Sequence, residues 1–193
     1  MTPLISLHHA LFSRLEATAP FLIPTLARVV FLGTLFVYYW NSAMTKFGDG
    51  ITGLLFPSDG AYIQIFPKAV EAAGYDVSQL GVFHWLVVLA GTWAEVILPI
   101  LIVIGLFTRL AALGMIGFIV VQSIVDITGH GLGAADIGGW FDVTPSALIL
   151  DQRAFWIFLL AVLVLRGAGA LSVDRLLSGN RTVAQGARTA SET

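Results

Sequence analysis

The chain of 193 residues contains no cysteine, and only 11% of its residues are charged. The first absence removes disulfides, thiol redox chemistry, iron–sulfur clusters and thioether-linked haem from the functions it could carry. The second removes an ordinary soluble domain, which carries about 25% charged residues. No excess of one sign is present either. The net charge is −2, so nothing favours nucleic acid as a partner. No basic residue lies in Met1–Leu7, and the first apolar run is too long for a signal-peptide core, so no cleavable signal peptide is expected. The glycine-rich stretch Gly129-His130-Gly131-Leu132-Gly133 lacks the lysine and the preceding strand of a phosphate loop. Neither a nucleophilic Ser–His–acid arrangement nor a solenoid-type repeat is visible.

What is present is apolar. Hydrophobic residues make up 57% of the chain and its mean hydropathy is +0.87, the composition of an integral membrane protein. Four runs are long enough to cross a bilayer, at about 21–47, 82–107, 110–127 and 151–169. They predict an all-α, four-transmembrane-helix bundle forming a single membrane domain over 1–175, in direct contact with the lipid bilayer. Ahead of the first run, Leu4, Leu7, Leu11 and Leu15 recur at helical spacing, which predicts an amphipathic interfacial helix. Pro20 and Pro24 are placed where a new helix would start, flanking the way into the first span. Segments 48–81 and 128–150 read as long connections. The first is long enough to lie over one end of the bundle as a lid. Residues 176–193 read as an irregular tail.

Orientation follows from charge. Arg14, Arg109, Arg166, Arg175, Arg181 and Arg188 fall on one side, and Lys46, Lys68, Arg153 and most of the acids on the other. The positive-inside rule predicts both termini in the cytoplasm of a multi-pass protein of the bacterial inner membrane.

One ionisable residue stands out. Glu95 lies near the middle of the second run, where a charge costs about 2.5–3.5 kcal/mol on insertion scales and needs a partner or a watered cavity. Arg28, two turns into the first span, is either that partner or a snorkelling headgroup anchor. The plain alternative for Glu95 is a carboxylate that only fixes helix register. Trp93, Tyr39 and Trp40 are candidate walls for a flat redox ligand, or else bundle packing and interfacial belt. His84, His130 and Asp126 approach the same end of the bundle and could supply a metal shell, although no tight ligand spacing links them. The absence of any haem, flavin or iron–sulfur ligand set argues against a self-sufficient oxidase.

The stretch Ala94-Glu95 through Gly105-Leu106-Phe107-Thr108-Arg109-Leu110-Ala111-Ala112 resembles the DoxX family of small four-span bacterial membrane proteins. Arg28, Gly33 and Lys46-Phe47 in the first span are similar to that family's pattern, as is the ending Arg166-Gly167-Ala168-Gly169-Ala170-Leu171-Ser172-Val173-Asp174. The chain departs from the pattern at Asn41-Ser42-Ala43 and in its longer connections. The resemblance implies a four-helix membrane bundle and an accessory role in quinone-linked or other membrane redox systems, including oxidative- and metal-stress systems. Quinone is the cofactor it suggests, with Glu95 and Arg28 at the reacting end and a protein partner in a membrane complex. A non-catalytic scaffold that docks a soluble partner, a small transporter or metal-handling protein, and a homo-oligomer remain open at this point.

Overall fold

The computed structural model describes residues 3–178, and every regular element among them is helical. Helix α1 (Pro3–Phe31) passes through a π turn (Leu32–Phe36) into α2 (Val37–Met44). Two short helices follow, α3 (Asp59–Ile65) and α4 (Pro67–Ala72). Next come α5 (Val82–Ile104) and α6 (Thr108–Ile124), the latter extended by a π turn (Val125–Gly129). A short α7 (Ala134–Ile137) and a third π turn (Leu148–Gln152) lead into α8 (Arg153–Arg166). The chain is helical again over 173–178. The rest of the expected irregular tail lies outside the described residues.

Four helices are long and apolar enough to cross a membrane. They pack in a ring: α1–α2 against α5, α5 against α6, α6 against α8, and α8 back against α1. Phe31, Leu35 and Tyr39 fill the ring, meeting Ile102, Met115, Ile119, Leu160 and Leu163. All of these lie at helical spacing on inward faces, while the outward faces stay apolar for lipid.

The first helix differs from expectation. Pro20 and Pro24 do not separate a surface helix from a span; both sit inside the continuous α1. Membrane helices tolerate proline because hydroxyls and neighbouring elements satisfy the freed carbonyls. Beside Pro24, Thr25 Oγ1 adds a bond to Phe21 O at 2.7 Å. Leu7, Leu11 and Leu15 remain exposed, and burial begins only at Pro24. The N-terminal turns therefore run beyond the bundle.

Two ends can be distinguished, a turn end at the α5–α6 corner and a loop end with the long connections. At the turn end, the Asp174 carboxylate accepts from the backbone N–H groups of Phe107 and Thr108, at 2.8 and 3.0 Å. A carboxylate there satisfies unpaired donors of a helix start and complements its dipole. Arg28 does the converse. Its guanidinium donates to the carbonyls of Ile102 and Val103 at the end of α5, and to those of Ala168 and Leu171 beyond α8. Between them Gly105 adopts φ +72°, and a Cβ there would stand 2.6 Å from Ser172 Cβ. The Gly-Leu-Phe-Thr-Arg and Ser-Val-Asp stretches, far apart in sequence, thus form one corner.

At the loop end the chain turns back early. After α2 ends at Met44, the loop 46–58 closes on itself through Ser58 N–H to Lys46 O at 2.9 Å. Trp93 Nε1 donates to Leu54 O at 3.0 Å and Trp85 Nε1 to Leu55 O at 2.9 Å, pinning this loop along the side of α5. Helix α3 then climbs α5, with Ile65 against Gly91 and Phe66 on His84. Farther out, Ser78 and Gln79 donate to the exposed Asp76 carboxylate and hold it below the usual carboxylate range.

Candidate functional site: a polar-ended cleft between α2, α5 and α6

Glu95 is 3% exposed. It lies thirteen residues from the start of α5 and nine from its end, about 20 and 14 Å along the axis at about 1.5 Å per residue. Its partner is Lys46, itself 4% exposed. Lys46 Nζ lies 2.9 Å from Glu95 Oε2 and 3.2 Å from Oε1. The ammonium also donates to Ser42 Oγ at 2.7 Å and Ser42 O at 3.2 Å, and Ser42 Oγ bonds Glu95 Oε1 at 3.3 Å. Lys46 therefore serves two acceptors, the buried carboxylate and the carbonyl end of α2, where a cation also complements the dipole. Of the two readings of Arg28, this rules out the partner of Glu95. Arg28 is committed to carbonyls at the turn end, beside the far terminus of α5.

A second ion pair stands across the ring. Arg153, 2% exposed, places Nη2 2.5 Å from Asp126 Oδ2 and Nη1 2.9 Å from Ser123 Oγ. Asp126 belongs to one π turn and Arg153 follows another. π turns are rare and recur at functional sites, because the extra residue rotates the side chains that follow it. Among the described residues Arg153 is the largest fully buried side chain.

Lys46, Glu95 and Asp126 line one cleft of about 520 Å³, within the range of small-molecule sites. Three helix faces build it, with Tyr38 and Ser42 from α2 and Lys46 just past its end, Ala90, Gly91, Ala94, Glu95 and Leu98 from α5, and Gly114, Gly117, Phe118, Val121 and Gln122 from α6. These positions recur three or four apart on each helix, so each helix gives one face to the cavity. Gln122 Nε2 donates to Tyr38 OH at 3.0 Å, and Tyr39 OH donates to Gln122 Oε1 at 3.3 Å. Among the described residues, the Tyr38 hydroxyl donates to no protein acceptor, so its proton is available to a guest.

The other expected site residues separate. Tyr39 is wholly buried in the core against Phe118; its neighbour Tyr38 faces the cleft instead. One step along a helix turns a side chain by about 100°. Trp40 stacks on Phe36 and is 39% exposed, on the lipid side. Trp93 holds the 46–58 loop and packs on Phe47, outside the cleft. Among the described residues no three His, Cys, Asp or Glu side chains gather into a metal-binding group. The shell expected from His84, His130 and Asp126 does not assemble, because each has another neighbour. His84 lies between Phe66 and Phe83, His130 Nε2 is 2.9 Å from Gln64 O, and Asp126 holds Arg153.

The DoxX family profile matches residues 23–131, more than half of the chain. The chain belongs to the DoxX family. No curated protein and no solved structure matches it. The region shared with DoxX proteins contains every residue that lines the cleft, from Tyr38 to His130. Arg153, which pairs with the cleft residue Asp126, and Asp174, at the turn-end corner, lie beyond that region.

Proposed function

We propose that this DoxX protein binds a quinone-type redox lipid in the α2–α5–α6 cleft and acts as an accessory subunit of a membrane redox system. One observation carries the reading: a single cavity joins hydrogen-bonding groups at its inner wall to apolar helix faces at its mouth. A quinone head offers two carbonyl oxygens and, once reduced, two hydroxyls. The lining fits it, with Tyr38 OH to donate to a carbonyl and the Glu95 carboxylate, held by Lys46, to accept from a hydroxyl. When bound, the quinone supplies the chemistry of carrying two electrons and two protons. The chain's own part is to orient the head, to keep water from it, and to hold a proton at a Glu95 carboxylate oxygen beside the Lys46 charge. Electrons would come from a protein partner. Exposed Arg14, Arg109, Arg166 and Arg175 gather at the turn end, which supports placing that end in the cytoplasm of a bacterial inner membrane.

The test is titration of the purified protein in nanodiscs with a short-chain benzoquinone, followed by quenching of tryptophan fluorescence. Glu95→Gln is expected to weaken binding by about tenfold, or about 1.4 kcal/mol, while the protein stays folded. Unchanged affinity in this variant would remove Glu95 from the site. No binding by the wild type would leave Lys46–Glu95 as a pair that fixes where α2 meets α5.

A further inference from the structure

Packed elements build several walls of the cleft. At the turn end Leu98 fills it: a Cβ on Gly114 would stand 3.2 Å from Leu98 Cδ2. At the loop end α3 and α4 roof it, with Gln64 O 2.9 Å from His130 Nε2. Pro67 packs beside them so closely that a Cβ on Gly129 would meet it at 2.8 Å. Tyr38, Ser42 and the Lys46–Glu95 pair form the back. A further side lies between α5 and α6, where Ala90, Gly114, Gly117 and Val121 line the cleft and are also exposed. Both helices are membrane spans, so exposure on that side is exposure to hydrocarbon. Gly117 matters most, because a Cβ built there meets nothing within 4 Å. Small residues on membrane helices usually bring backbones together. At Gly114 the space is taken by the Leu98 side chain; at Gly117 the missing side chain leaves a gap.

We propose that the guest enters from the bilayer through this gap, that its single apolar chain stays in it, and that Gly117 sets the width of the passage. The inference rests on the reading that the cleft holds a quinone-type lipid and adds how such a lipid is selected. A headgroup carrying one chain can reach Glu95 while its tail remains in lipid between α5 and α6. A side chain at position 117 would project into that passage, where a Cβ meets no other group within 4 Å.

The experiment compares wild type, Gly117→Ala and Gly117→Phe in nanodiscs, titrated with a tail-less benzoquinone and with its decyl derivative. Gly117→Phe is expected to lower affinity for the decyl quinone by about tenfold or more and to leave the tail-less one within about twofold. Gly117→Ala should match wild type for both. Unaltered decyl-quinone binding in Gly117→Phe would overturn the passage while leaving the quinone reading intact. Equal loss of both ligands at an unchanged melting temperature would also overturn it, since the head would then be what position 117 disturbs. Failure of the wild type to bind either quinone would overturn the quinone reading and the passage with it. Should Gly117→Phe fail to fold, Gly117→Leu takes its place. The chain has no cysteine, so Gly117→Cys provides an independent readout. Disulfide formation between two copies would assign the gap to a neighbouring protomer and overturn the proposal.

Discussion

Replacing Lys46 by Met is expected to destabilise the folded protein by about 3–5 kcal/mol, the usual result of leaving one member of a buried ion pair without the other. Both side chains are almost wholly buried, and among the described residues the only other group bonded to the Glu95 carboxylate is the Ser42 hydroxyl. Removing the ammonium also strips the last carbonyls of α2 of their cation, just where the chain must leave the helix and form the 46–58 loop. The measurement is reversible unfolding in mixed micelles, read by circular dichroism. The double variant Lys46→Met/Glu95→Leu should recover most of the loss, because apolar side chains of similar size remove both charges at once. A Lys46→Met variant as stable as wild type would mean that water reaches Glu95 freely, and the buried pair would not hold α2 to α5.

A comparable loss is expected at the opposite end. Arg28→Met should cost on the order of 3 kcal/mol or more, since hydrogen bonds to charged groups contribute about 1.5–3 kcal/mol each. The guanidinium bonds carbonyls of α5 and of the segment after α8, so its removal frees both from α1. Arg28→Lys should restore less than half, because an ammonium cannot fork between two chain segments. Gly105→Ala should fail in the same assay, as its new methyl would meet Ser172 and the Arg28 guanidinium. The cleft lies in the other half of the bundle. The folded fraction of each variant should therefore bind quinone as wild type does, and a selective loss of binding in folded Arg28→Met would return Arg28 to the site.

The bundle was legible because lipid imposes simple demands: long apolar runs, arginines on one side, a short corner at Leu106–Thr108. Glu95 was legible as a residue that needs a partner, for the same reason. Its partner was not. Arg28 and Lys46 both belong to the first expected span, and the choice depends on where its helix stops. It stops beside the middle of α5, because the next residues fold back along Trp85 and Trp93, and hydropathy does not register such a return. The Arg153–Asp126 pair had a visible signal: the two residues stand just outside the two ends of the 128–150 connection, so an antiparallel pairing of α6 and α8 brings them level. Tyr38 was missed in favour of Tyr39 because a π turn precedes both, and the extra residue shifts which of two adjacent tyrosines faces the cleft. Pro20 and Pro24 misled for a different reason. In water they would end a helix, whereas in a membrane span the helix is the only way to satisfy the backbone.

The most direct test is the quinone content of the protein purified gently from its own membranes, quantified by mass spectrometry beside the Glu95→Gln variant. Near-stoichiometric quinone in the wild type and its loss in the variant is the expected result, with the head placed at the Lys46–Glu95 pair. Protein that is folded, stable and free of quinone in both preparations would contradict the account and leave the cleft to a different guest.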